Sequence, residues 1–165
     1  MPAVRNARPD DLAPLTAIYN YYVVHTPITF DLRPLEPEER RRWFDDHQGG
    51  RHRLLVADDN GDVLGYATTS PWRPKAAYDT TVESTVYVRH DATGRGIGRD
   101  LYSALFDALV NEDIRAVVAG IALPNDASVA LHERFGFRPV GVFTEVGRKF
   151  DRFWDVAWFQ KRMGQ

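Results

Sequence analysis

Three glycines at alternate positions stand in the run Thr93-Gly94-Arg95-Gly96-Ile97-Gly98-Arg99, directly after a segment rich in Thr, Val and Tyr. A strand that feeds such a turn into a helix arranges several backbone N–H groups in one concave arc beside the helix's positive end, and such an arc holds phosphate oxygens. Glycine matters there because a Cβ would keep the main chain away from the ligand. Arg95 and Arg99 add positive charge beside the arc. The same residues also suit an ordinary tight strand-to-helix turn. Two specific phosphate sites are excluded. A P-loop ends in Gly-Lys-Ser/Thr, whereas this run ends Gly98-Arg99-Asp100 and offers no hydroxyl for Mg²⁺. A dinucleotide fingerprint spaces its glycines G-x-G-x-x-G and needs a carboxylate at the end of the next strand, which the apolar run through Val117 and Val118 lacks.

Other chemistries are thinly supplied. The chain has no cysteine, which removes disulfides, thiolate metal sites and a cysteine nucleophile together. Its five histidines are scattered without H-E-x-x-H spacing, and no G-x-S-x-G elbow supports a serine nucleophile. No metal is expected.

The glycine run must be positioned by elements that the sequence itself marks. Residues 3–7 read as a short first strand, and Pro9-Asp10-Asp11 supplies turn and capping chemistry for a helix whose Leu12, Leu15, Ile18, Tyr19 and Tyr22 share one face. Residues 25–33 have no period and predict a loop carrying Phe30. A second helix begins near Pro37, runs through Trp43 and Phe44, and stops at Gly49-Gly50. Residues 53–57 and 63–70 predict two antiparallel strands joined at Asp59-Asn60-Gly61-Asp62, where Asn-Gly is a strong hairpin signal. Residues 80–88 predict the strand that runs into the glycines, and the helix behind them turns Leu101, Leu105 and Leu109 inward before ending near Glu112.

The near-continuous apolar run 116–122 has the pattern of a strand buried on both faces in a parallel pairing. Leu123-Pro124-Asn125-Asp126 breaks it. A short helix over 128–135 follows, capped by Asn125 or Asp126 and stopped at Gly136, and residues 137–146 and 153–160 close the chain as two strands. The expectation is one α/β domain over residues 1–165, with an antiparallel front half and a βαβαβ back half.

Hydrophobic residues make up 44% and charged residues 27%, close to globular averages, so a packed core is expected. A net charge of -2 gives no global reason to bind nucleic acid or an anionic membrane. The first residues lack the apolar stretch of a secretory signal, and no later run is long enough to span a bilayer, which predicts a cytoplasmic location.

Taken together, Val86-Tyr87-Val88, the glycine run, Asn125 and the helix-strand junction over 128–137 resemble the GNAT acyltransferase superfamily. The fold implied is α/β, with a mixed, mostly antiparallel central sheet flanked by about four helices. The resemblance implies that the strand through Val86, Tyr87 and Val88 pairs with the pantetheine arm of acetyl-CoA. Gly94, Arg95, Gly96, Ile97, Gly98 and Arg99 would hold its pyrophosphate, and Asn125 would touch the cofactor. Thr93 departs from the usual Gln/Arg at the head of that turn, and Arg95 and Arg99 are its substitutes in charge. A closer resemblance spans nearly the whole chain. Ile18-Tyr19-Asn20, Pro71-Trp72-Arg73, Ala77-Tyr78-Asp79, residues 81–88, Leu123-Pro124-Asn125-Asp126 and Gly147-Arg148-Lys149-Phe150 are similar to the phosphinothricin and methionine sulfoximine acetyltransferases. This implies direct acetyl transfer in a ternary complex, the α-amine of a small amino-acid analogue as acceptor, and commonly a homodimer.

An amine attacks a thioester only as the free base, so a proton must be removed from it. Glu83 lies a few residues before the strand segment expected to flank the thioester, and partial burial would raise its pKa for that work. Without the resemblance it reads as a surface carboxylate paired with an arginine. The superfamily often places a tyrosine on the late helix to protonate the departing thiolate, and His132 stands there; a histidine merely packed beside Glu133 fits the position equally. A backbone N–H of residues 85–88 is the implied oxyanion donor. Acceptor recognition needs a cation and an aromatic wall, which Arg73, Lys75 and Tyr78 supply in one loop, with Phe30, Trp72 and Thr81 nearby and Lys149 and Phe150 from the late segment or across a dimer. Phe30 and Trp72 serve core packing equally well. Acetylation of protein N-termini or another amine, and a CoA-binding sensor without catalysis, stay open; the cations Arg73 and Lys75 oppose a polyamine.

Overall fold

The computed structural model describes residues 1–164. Its first half comprises β1 (Ala3–Asn6), α1 (Leu12–His25), α2 (Pro37–Asp45), β2 (Leu54–Asp59) and β3 (Asp62–Pro71). α1 begins behind a short turn whose Asp11 carboxylate accepts the Arg8 N–H at 2.6 Å and the Arg5 guanidinium at 2.8 and 3.0 Å. In α2, Pro37 takes the first turn and the Glu39 carboxylate accepts the Glu36 N–H at 2.8 Å. α2 ends at Asp45, short of the glycines expected to stop it. The Phe44 carbonyl already receives the His47 N–H at 3.1 Å and the Gln48 amide at 2.8 Å, which closes the helix locally. Asn60 and Gly61 turn the β2–β3 hairpin with φ of 54° and 95°, the left-handed pair that a two-residue hairpin requires.

The second half comprises β4 (Thr81–Val88), α3 (Ile97–Leu109), β5 (Ala116–Ala122), α4 (Asp126–Arg134), β6 (Arg138–Lys149) and β7 (Arg152–Arg162). All seven strands form one mixed sheet in the order β1-β2-β3-β4-β5-β7-β6, antiparallel except where β4 meets β5. The back half runs β4-α3-β5-α4-β6 in the expected βαβαβ order, and β7 is what departs from a plain succession of neighbours. β7 inserts antiparallel between β5 and β6, because the tight turn after Lys149 folds β6 and β7 into a hairpin and Ala157 and Phe159 of β7 join the core beside Ala119 and Ile121. α3 closes at Leu109, slightly before Glu112.

Two apolar layers cover the sheet. Leu101, Leu105 and Leu109 of α3 pack on one face; Leu12, Leu15, Ile18 and Phe44 of α1 and α2 pack on the other against Leu54, Val56 and Tyr66. Strand alternation sends successive β4 side chains to opposite layers. Val86 and Val88 face α3, and Tyr87 faces α1. Among the described residues no helix is long and apolar enough to cross a membrane.

Candidate active site

β4 and β5 pair only where Thr81–Glu83 meets Ala116–Val118, and then part. The splay opens a groove of about 620 Å³. Beyond Glu83 the β5-facing edge of β4 has no strand partner, while its other edge stays paired with β3 as far as Val88. Val86, Tyr87 and Val88 form one wall, and Gly94, Gly96, Ile97, Gly98 and Arg99 close one end with Asn125 opposite. Gly94 and Gly96 have φ of 75° and 81°, which an L side chain rarely adopts, so the turn needs glycine at both. They deliver the chain into α3 with its first amides unpaired by the helix. This cradle of amides and small residues fits a phosphate-bearing ligand. Arg95 is exposed and lines no part of the groove. Arg99 lines it while hydrogen-bonding Asp100 at 2.9 Å. Thr93 donates to the His90 carbonyl at 3.2 Å, bracing the turn at the surface. Asn125 caps α4 by accepting the Ser128 N–H at 3.2 Å, which sets a second helix terminus against the groove.

A chain of polar groups crosses the groove floor. Ser84 Oγ lies 3.1 Å from the Tyr102 hydroxyl, which lies 2.8 Å from His132 Nε2, and His132 Nδ1 lies 2.7 Å from the Ser128 carbonyl. A carbonyl only accepts, so Nδ1 carries the proton, Nε2 accepts from Tyr102, and Tyr102 accepts from Ser84. Burial pushes the His132 pKa down and the Tyr102 pKa up, which leaves the imidazole neutral and the phenol protonated near neutral pH. His132 thus reaches the groove with Tyr102 at its Nε2. The sequence pattern passes over Tyr102, because on an amphipathic helix it counts as one more core residue beside Leu101.

Glu83 points to the α1 side, where it shares a hollow of about 380 Å³ with Ile28, Phe30 and Gly120; Ile28 and Gly120 also border the groove. Burial raises its pKa, and the charge of Arg73 acts in the opposite sense. Arg73, Lys75 and Tyr78 lie on the exposed loop after β3. The Arg73 guanidinium stacks 4.9 Å from Trp72, whose ring meets Tyr78 edge-on at 5.3 Å, so these three form one surface unit. Thr81 begins β4 at the closed end of the splay and lines neither the groove nor the hollow.

Within the one chain the late segment makes contacts of a different kind. Lys149 is buried and donates to the Thr29 carbonyl at 2.8 Å, and that burial pushes its pKa down. Its ammonium therefore pins the loop that carries Phe30. A Cβ built on Gly147 would lie 2.3 Å from the Phe30 ring, so glycine is what lets that ring press on β6. Phe150 projects outward, 52% exposed, at the β6–β7 turn.

Known proteins share this fold and much of this sequence. Residues 4–158 match the family model described as "Acetyltransferase (GNAT) domain". The phosphinothricin N-acetyltransferase of Streptomyces coelicolor is 58% identical over 96% of this chain and 94% of its own length. The L-methionine sulfoximine/L-methionine sulfone acetyltransferase of Pseudomonas aeruginosa is 38% identical over 96% of this chain and 92% of that protein. A crystal structure of a GNAT superfamily phosphinothricin acetyltransferase from Sinorhizobium meliloti, in complex with acetyl-CoA, superposes with a TM-score of 0.93 at 32% identity, covering 99% of this chain and 89% of that one. With the matching model spanning nearly the whole chain and relatives well above 30% identity along it, this protein belongs to the GNAT acetyltransferase family.

Proposed function

We propose that this protein, working as one domain, transfers an acetyl group from acetyl-CoA to the α-amine of a small amino-acid analogue of the phosphinothricin or methionine sulfoximine and sulfone type. One observation carries the reading. The carboxylate of Glu83, raised by burial, stands where β4 and β5 part, so a base lies at the point where the unpaired edge of β4 begins. The names of the relatives supply the acceptor class.

When bound, acetyl-CoA supplies the thioester. The amides around Gly94, Gly96 and Gly98 hold its pyrophosphate, and the unpaired edge of β4 from Ser84 to Val88 holds its arm and offers a backbone N–H to the carbonyl oxygen. Glu83 takes a proton from the acceptor's ammonium in the adjoining hollow. Phe30 and its clamp on β6 keep that hollow shaped, and Arg73 with Lys75 meets the acceptor's carboxylate from the loop. Ser84, Tyr102 and His132 form a protonated relay beneath the groove floor, and the departing sulfur would take a proton from it once the Tyr102 hydroxyl turns from His132 Nε2 toward the groove.

The protein functions as a homodimer in this reading. Val140, Val142, Phe143 and Val146 of edge strand β6 are 67%, 53%, 60% and 57% exposed, an apolar row suited to a second copy. Sedimentation that finds only monomer at working concentration would remove this part. The reaction itself is tested by a thiol-release screen of amino-acid analogues with acetyl-CoA. Stoichiometric thiol and N-acetyl product from phosphinothricin or methionine sulfone support it. Tight acetyl-CoA binding without thiol release from any amine would make the protein a sensor instead.

A further inference from the structure

The groove and the Glu83 hollow meet at one place. Ile28, Gly120 and Ala122 border both, and of the three Gly120 has no side chain to fill the opening. Register explains its position. Glu83 pairs with Val118 in the last contact before β4 and β5 part, and alternation makes Gly120 the next residue of β5 on the same face, about 7 Å further along. Gly120 in turn pairs with Trp158 of β7, and Trp158 pairs with Gly141 of β6. One indole thus stands in a row between two glycines.

The ring lies to the β5 side of that row. A Cβ built on Gly120 would come within 3.1, 3.2 and 3.3 Å of three indole carbons, whereas one built on Gly141 would meet nothing within 4 Å. The indole therefore covers the space that Gly120 leaves, and the same ring walls the Glu83 hollow.

The shape of a thioester gives that space a use. Its carbonyl carbon is planar with three substituents, and an amine attacks at a steep angle to that plane. The sulfur arrives along the groove, and the oxygen turns to a backbone N–H on the unpaired edge of β4. The third substituent, the acyl chain, is then directed away from β4 and toward β5, where Gly120 leaves room and the Trp158 ring ends it. A longer chain would have to press on that ring or enter the hollow of about 380 Å³ that the acceptor's amine needs.

We propose that Trp158, held across Gly120, limits the donor's acyl group to acetyl and turns away longer chains. The direction of the thioester rests on the acetyl-transfer reading, and the row of glycine, tryptophan and glycine stands without it. Calorimetric titration of the protein with CoA, acetyl-CoA and butyryl-CoA isolates the acyl contribution, because the three differ only there; thiol release with both thioesters is measured beside it.

The parent should bind butyryl-CoA about tenfold or more weaker than acetyl-CoA, the effect of forcing two methylenes against a packed ring. Trp158→Ala should remove that difference or reverse it, each methylene that gains cover contributing about fourfold. Gly120→Ala should bind CoA as the parent does and acetyl-CoA about fivefold or more weaker, because its methyl takes the acyl space. Gly120 is not left-handed and the ring can retreat toward Gly141, so this variant should fold. If Trp158→Ala does not fold, Gly120→Ala decides alone. A parent that binds both thioesters equally overturns the acyl limit, as does a folded Gly120→Ala protein that keeps the parental ratio of acetyl-CoA to CoA affinity. Failure to bind any of the three overturns the limit and acetyl transfer together. The expected ratios without thiol release to any amine overturn acetyl transfer alone and leave the limit standing.

Discussion

Glu83→Gln keeps the shape of the side chain and removes one proton acceptor, so its effect isolates proton transfer. A positioned general base contributes about 10²- to 10⁴-fold, equivalent to roughly 3–5 kcal/mol of barrier. Glutamine supplies none of this, and kcat at neutral pH should fall by that range. Acetyl-CoA affinity should hold, because the groove is lined without the Glu83 side chain. The free amine grows more abundant as pH rises, so the deficit should narrow in alkaline buffer as solvent deprotonates the acceptor. The reactive form of Glu83 is the carboxylate. Parental kcat/KM is therefore present above its raised pKa and lost as pH falls through it. Stability should move the opposite way. A carboxyl whose folded pKa is raised favours the folded state below its unfolded pKa and loses that contribution as pH rises through the folded value. Glutamine escapes that loss, so the variant should melt at or above the parent at pH 7 and gain nothing in acid. The assay is thiol release against pH, with melting curves on the same samples. Equal kcat for parent and variant at every pH, or acetyl-CoA affinity falling in step with kcat, would refute the assignment of Glu83 as the base.

Arg73→Ala removes the charge that opposes the upward shift of Glu83, so the acid limb of kcat/KM should move to higher pH; the acceptor KM should rise much more than that for acetyl-CoA. An unmoved limb would show that the two side chains do not communicate. Tyr102→Phe keeps the ring and breaks the chain from Ser84 to His132, and should slow acetyl transfer as His132→Ala does, with the double variant no worse than the singles. Additive losses would mean separate roles. Gly147→Ala puts a methyl 2.3 Å from the Phe30 ring, which must retreat. Overpacking of that kind costs about 1–3 kcal/mol, and acceptor KM should change while acetyl-CoA KM does not. Unchanged selectivity would detach Phe30 from the acceptor.

Local chemistry was the most legible part of the sequence. Asn60-Gly61, Pro37, Asn125 and the alternate glycines each announce a backbone geometry that few residues satisfy, and each holds a turn or terminus of the expected kind. The position of β7 had no such mark, because strand order is set by which distant apolar rows fit, and Ala157 and Phe159 read alike beside either neighbour. Side-chain direction was equally hidden. Glu38-Glu39-Arg40-Arg41-Arg42 reads as a solvated helix face, and nothing local distinguishes the arginine that turns under Trp43 from the two that do not. Lys149 looks like a ligand-binding cation until its ammonium is seen on the Thr29 carbonyl, a partner 120 residues away.

The insertion of β7 between β5 and β6 also dictates an order of assembly. A ribosome emits β6 first, and for the time needed to make the next dozen residues that strand has nothing to join, since its only neighbour does not yet exist. Its valines and Phe143, exposed even in the finished fold, then also stand on an unpaired strand in a nascent chain, a stage at which chaperones would find them. A frameshift inside residues 152–162 would strip one edge of β5 and strand β6 altogether, whereas losing the short β1 would leave the remaining ladder intact. Tolerance to damage is accordingly lopsided along the chain, with the late hairpin as its least forgiving stretch.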